Sequence, residues 1–134
     1  MIIQNGFSTY EPKYCQWSKL IPYQQMVKNV ADARIVLTHG GPASFIMPLQ
    51  IGKTPIVVPR QHQYNEHVND HQVEFSKAVA ERQGNIIVVE DIAELENTIK
   101  NYDAIVSTMP IGLKSNNTHF CELFEKLVAE VLVK

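Results

Sequence analysis

The stretch from Thr38 to Ser44 reads Thr-His-Gly-Gly-Pro-Ala-Ser, and residues of those types at that spacing suit the binding of an anion. Gly40 and Gly41 let the backbone pass close to a ligand with no Cβ in the way. A helix starting at Pro42 would offer unpaired N–H groups and the positive end of its dipole, and Ser44 adds a hydroxyl donor. Pro42 has no N–H, so the backbone donors are those of Gly41, Ala43 and Ser44. The stretch has neither the Gly-Lys-Ser/Thr of a P-loop nor a GxGxxG fingerprint, and spacing alone leaves an ordinary tight strand-to-helix connection as good a reading.

A second polar set follows the next apolar run: Arg60, then Glu66-His67-Val68-Asn69-Asp70-His71-Gln72. Short polar side chains of this mix suit a ligand with several hydroxyls. Glu and Asp accept, Gln does both, and Arg answers phosphate charge. Asp70 alone is equally a helix N-cap. His62, His67 and His71 raise a zinc reading, which the lack of a nearby thiolate disfavours, so no metal is expected. Ser44 with His39 lacks the strained Gly-x-Ser-x-Gly elbow and an orienting acid, which argues against hydrolase chemistry.

These groups need elements to position them. Met1 to Gln4 reads as a short buried strand ended by Asn5-Gly6, Phe7 to Tyr14 as a loop, and Cys15 to Leu20 as a second extended piece. Tyr23 to Ala31 carries Met26, Val27 and Val30 at helical spacing after Pro22. Arg34 to Thr38 is a β-branched run of the kind found in parallel strands covered on both faces. A helix from Pro42 to Gln50 is stopped by Gly52, and Thr54 to Pro59 is the next strand. The pattern then predicts a helix from Asp70 to Arg82 capped by the Asp and ended by Gly84, and a strand at Asn85 to Val89. Asp91 and Glu94 have capping-box spacing for a helix at Ile92 to Asn101. Asp103 to Asn117, with Pro110, Gly112 and adjacent asparagines, reads as a low-order connection. A last helix from Thr118 to Val133 lines up Phe120, Leu123, Phe124, Leu127, Val128 and Val131, as core or as a docking face.

Strand and helix alternate throughout, so the expected fold is α/β with a doubly wound, mostly parallel, Rossmann-like sheet in a single domain, 1–134. Its core is 1–103, followed by a connection at 104–117 and a helix at 118–133. The 134 residues are too few for two ordinary domains, and 45% apolar content with a net charge of −2 describes a globular protein with no field for nucleic acid. Cys15 and Cys121 match no metal or redox spacing and fit a cytoplasmic chain of reduced thiols. No apolar run approaches the ~20 residues of a membrane span, and the start lacks a basic n-region and cleavage site. Trp17, Tyr10 and Tyr14 read as an aromatic platform or as packing.

In three blocks, Ala31 to Ser44, Gly52 to Arg60 and Glu66 to Gln72, the chain resembles the C-terminal, donor-binding domain of MurG-like GT-B glycosyltransferases of family 28. It is particularly similar to the small subunit of two-component pairs that build capsule and exopolysaccharide repeats. The resemblance implies that the diphosphate of a UDP-sugar lies on Gly40, Gly41, Ala43 and Ser44, with His39 beside it and Arg60 answering its charge. It implies that Asp70, His71 and Gln72 meet sugar or ribose hydroxyls and that Tyr23 and Met26 border the uracil. Many relatives have a Glu where Met47 stands, so ribose contact would pass to Glu66 or Asp70. The implied reaction is an inverting, metal-independent transfer of galactose or N-acetylglucosamine to a lipid-linked saccharide, with no cofactor. The acceptor and the catalytic base would belong to a membrane-associated partner subunit holding this chain at the membrane, so no catalytic residue is assigned here. The other reading is a module that binds a nucleotide-sugar, or assists assembly, without turnover. Relatives also begin with a strand, glycine loop and helix ahead of the segment matching Met1 to Gly6. A shortened start would leave a gap between the strands at Met1 to Gln4 and Arg34 to Thr38, closed by rearrangement, self-association or a borrowed strand.

Overall fold

The computed structural model describes residues 1–111 and 117–133. In chain order the elements are β1 (Ile2–Gln4), β2 (Gln16–Ser18), α1 (Tyr23–Asp32), β3 (Leu37–Thr38), α2 (Pro42–Gln50), β4 (Ile56–Val57), α3 (His71–Gln83), β5 (Ile87–Val88), α4 (Leu95–Lys100), α5 (Tyr102–Val106) and α6 (Asn117–Leu132), with single 3-10 turns at His62–Tyr64 and Ile92–Glu94. All described strand pairs are parallel; helices α2 and α3 make the crossovers among β3, β4 and β5, whereas β1 and β2 are joined by residues 5–15 without a helix, and the chain is an α/β protein.

The strands form two sheets, β1-β2 and β3-β4-β5. β4 is the centre of the larger one, and its two residues are wholly buried. Successive side chains in a strand point to opposite faces, and here each face has its own core. Val57 packs with Phe45 and Leu49 of α2, Ile86, and the half-buried Phe75, Val79 and Ala80 of α3. Ile56 packs with Val89, Tyr102 of α5 and Leu95 and Ile99 of α4. This is the doubly wound layering expected from the run of β-branched residues.

Local chemistry sets the element ends. α2 starts at Pro42, whose fixed φ suits the first helical position. It ends where Gly52, at φ +77°, lets its own N–H reach Leu49 O and the Lys53 N–H reach Pro48 O. Lys53 then extends its Nζ to the carbonyls of Ala31 and Ala33, tying the end of α1 to the end of α2. Gly84, at φ +61°, closes α3 with a bond to Ala80 O.

Four expectations change. The first strand is not buried: Ile2 is 51% exposed, and β1 pairs with β2 alone. As expected of the gap, β1 and β3 do not pair. Asp70 precedes α3 but does not cap it by its side chain, which accepts from the His62 N–H at 2.8 Å; Asn69 Oδ1 takes the His71 N–H instead. The helix predicted over Ile92 to Asn101 is a 3-10 turn followed by the short α4, although Asp91 does cap it through the Ala93 N–H. The supposed connection after Asp103 contains most of α5, anchored by the buried Tyr102. Gly112 and Asn116, read as part of that connection, lie outside the described residues.

Candidate functional site

β3 delivers Thr38 to the carboxyl edge of the larger sheet, and the chain turns through His39, Gly40 and Gly41 into α2. Gly40 is buried against α3. A Cβ built there would lie 2.9 Å from both Gln72 Cβ and Ser76 Oγ and 3.1 Å from the Gln72 carbonyl oxygen. Only glycine permits that approach, and the approach brings the turn and the start of α3 together. Two of the sequence-predicted groups, separated by some thirty residues, are thus in contact.

The His39 ring folds back over the turn. Its Nδ1 accepts from the Gly41 N–H at 2.9 Å, and its Nε2 lies 3.0 Å from Ser44 Oγ. A nitrogen that accepts a backbone N–H carries no proton, so the neutral ring carries its proton on Nε2 and donates to Ser44. Ser44 keeps its own hydroxyl hydrogen to give to a ligand. The same tautomer prevents His39 from taking a proton from Ser44, which removes a serine nucleophile from consideration. Burial holds the His39 pKa below the ordinary histidine value, the Arg60 cation adds to this, and hydrogen bonding with Gln72 partly opposes it.

Arg60 stands at the end of the segment after β4. Its backbone N–H and Nε both approach Gln72 Oε1, at 3.1 and 3.4 Å, so the nearly buried Gln72 fixes the root of the arginine. Arg60 as a whole is exposed. Glu66 and Asp70 are spent partly on the segment that precedes them: Glu66 Oε2 accepts from the Gln61 N–H at 3.1 Å, and Asp70 Oδ1 from that of His62. The histidines of this loop have separate surroundings. His62 Nδ1 meets the His67 carbonyl, His67 Nδ1 meets Asn69 Oδ1, and His71 stacks on Phe75 with centroids 6.3 Å apart. Among the described residues, no three His, Cys, Asp or Glu side chains gather as a metal site.

The structure therefore groups His39, Gly40, Gly41, Arg60 and Gln72 by direct contact, places Ala43 and Ser44 in the first turn of α2, and brings Glu66, Asp70 and His71 to the adjoining loop and helix start. Tyr23 and Met26 lie on the first turn of α1, Tyr23 largely exposed. Beside that helix is a hollow of about 320 Å³, lined by Trp17, Ile21, Pro22 and Gln25 among others and by none of the turn residues. Trp17 faces this hollow while Tyr10 and Tyr14 are exposed, so the three form no common platform.

Sequence reading missed Ser76. It is fully buried under Gly40, and its Oγ has no hydrogen-bond partner among the described residues; Thr38 Oγ1 is in the same condition. Ser76 follows Gln72 by one helical turn, and that spacing was the available signal.

The family model for the glycosyltransferase family 28 C-terminal domain matches residues 1–119. No curated protein and no solved structure matches the chain.

Proposed function

Because the chain belongs to the glycosyltransferase family 28 C-terminal domain family, we propose that its turn at Gly40 to Ser44 holds the diphosphate of a UDP-sugar and that it serves as the donor-binding part of a hexosyltransferase. One observation carries this reading. A glycine pair opens a helix at the carboxyl edge of a parallel sheet, with the Arg60 guanidinium alongside, and this combination meets the charge that a departing diphosphate acquires during transfer. Gln72 sets the direction of Arg60. Glu66, Asp70 and His71, on the same rim, meet the hydroxyls of the sugar or ribose, and Tyr23 and Met26 border the base. The hexose is galactose or N-acetylglucosamine.

The second substrate, a lipid-linked saccharide, comes with a membrane-associated partner subunit, which also supplies the base. Two observations favour a partner. His39 carries its hydrogen on the nitrogen facing Ser44 and has its other nitrogen engaged by the Gly41 N–H, so it presents no free basic nitrogen to an acceptor. The apolar side of α6 is uncovered, with Phe120, Leu123, Phe124, Leu127 and Val131 each more than half exposed. No helix among the described residues is long and apolar enough to cross a membrane, so the partner provides the membrane location. The His39 tautomer equally favours a second reading, a module that binds nucleotide-sugar without turnover.

Calorimetric titration of UDP-galactose and UDP-N-acetylglucosamine into the chain tests the donor site: saturable binding that weakens in Arg60→Ala is expected, and no binding at millimolar ligand would sink it. Radiolabel transfer to a lipid acceptor, with and without the partner subunit, separates enzyme from inert module.

A further inference from the structure

We propose that His39 is a latch on the diphosphate site: its neutral imidazole holds the Gly41 N–H and the Ser44 hydroxyl while the site is empty, and it lets go by taking up a proton when a nucleotide diphosphate arrives. The inference rests on the turn being that site and concerns how it opens.

Two backbone donors of the turn are already engaged: the Gly41 N–H is given to His39 Nδ1 and the Ser44 N–H to the Gly41 carbonyl at 3.0 Å, while Ser44 Oγ accepts from Nε2 and keeps its own hydrogen. The ring covers the mouth of α2 so closely that a Cβ at Gly41 would lie 2.3 Å from its Cε1. An anion seated on this helix start must displace the ring or recruit it. A neutral ring in this tautomer offers the anion a lone pair at Nδ1, which repels it.

Protonation reverses the arrangement. With a hydrogen on each nitrogen, Nδ1 no longer accepts from Gly41, and two N–H groups 2.9 Å apart oppose each other. The ring swings off, the Gly41 N–H is freed, and an imidazolium joins Arg60 in facing the ligand. The groups that face the ring are Gly41 and Ser44 at the start of α2, Arg60 after β4 and Gln72 on α3. Arg60 is the charged one, and with partial burial it keeps the ring neutral in the empty site. A diphosphate diester brings two negative charges between Arg60 and His39, favouring the charged ring. The proton comes from solvent and goes to Nδ1, and no covalent bond changes.

Calorimetry of UDP-N-acetylglucosamine and UDP-galactose slightly above neutral pH, in buffers of different ionisation enthalpy, tests the latch. Neither ligand has a phosphate group titrating near neutrality, so any proton taken up goes to the protein. Expected are an uptake approaching one proton per ligand and an affinity that falls by up to about tenfold per pH unit. In His39→Gln, which loses the imidazolium's contact and binds more weakly, both effects vanish. Binding without uptake, or uptake persisting in His39→Gln, overturns the latch and leaves the donor-site reading standing. If neither nucleotide-sugar binds, both readings fall. Nitrogen NMR of the ligand-free chain gives a check independent of ligand: the latch requires the tautomer with hydrogen on Nε2, and hydrogen on Nδ1 overturns it.

Discussion

A methyl group at Gly40 meets the backbone and Cβ of Gln72, whereas the nearest atoms to one at Gly41 are those of the His39 ring, a side chain that can rotate once its two hydrogen bonds are given up. The two adjacent glycines therefore have unequal tolerance. Gly40→Ala is expected to cost about 1–3 kcal/mol, the range for overpacking a closed contact, because the turn must lift off α3. Gly41→Ala is expected to stay within about 1 kcal/mol of the parent and to evict the ring. Urea unfolding of both variants checks the difference, and equal losses would contradict it. His39 also carries a pH dependence of stability. Its pKa is lowered on folding, so below the unfolded value near 6.5 the unfolded chain binds more protons than the folded one. The stabilisation is complete above that value and is lost as pH falls through the folded pKa. Denaturation midpoints across that window should slope less in His39→Gln than in the parent. The glycine pair and its polar neighbours were legible in the sequence because their types are rare in combination. The tautomer was not, since it depends on which way one ring folds.

At the scale of elements, α5 shows where pattern reading stops. Pro110, Gly112 and adjacent asparagines made the region after Asp103 look like a connection, yet Tyr102 is buried and its hydroxyl donates to the Thr54 carbonyl at 2.7 Å. A five-residue helix has too few turns to show a period, and its identity comes from docking on Ile56 and Val89. Tyr102→Phe leaves the Thr54 carbonyl buried without that donor, and a loss of about 1–2 kcal/mol is expected in chemical denaturation. Asp70 teaches the complementary lesson. Its place before α3 was read correctly, but a carboxylate can serve either the helix or the loop, and the His62 N–H won it. Helices α2 and α3 were legible almost to the residue, because proline and glycine mark their ends. Four strands were legible as apolar runs and β2 as an extended piece, but the paired part of each is only two or three residues.

For the whole molecule, the contrast lies between a sheet with two covered faces and the parts that have none. α6 is amphipathic in sequence and exposed along its described length. Sequence left its apolar side as core or docking surface, and exposure removes the first choice. Phe124→Glu is expected to change the unfolding free energy by no more than about 0.5 kcal/mol, as for a surface position, and to abolish co-purification with the acceptor-binding subunit proposed above. A marked loss of stability in that variant would mean the helix packs on its own domain. The layered core was legible because Arg34 to Thr38 and Thr54 to Pro59 are apolar without alternation. The division into two sheets was anticipated only through the family resemblance, since pairing partners are not written in a strand's own residues.

That division gives the molecule two tempos. The amides of Ile56, Val58, Ile87 and Val89 are bonded within a sheet whose central strand is sealed on both sides, and they should be the last to exchange with deuterium. Those of Ile2 to Gln4 and Gln16 to Ser18 belong to a solitary pair with exposed residues and should exchange early. A nucleotide whose diphosphate sits on the slow half and whose base leans on α1 would join the two. Its arrival would be recorded as slowed exchange in β1 and β2, strands it need not touch.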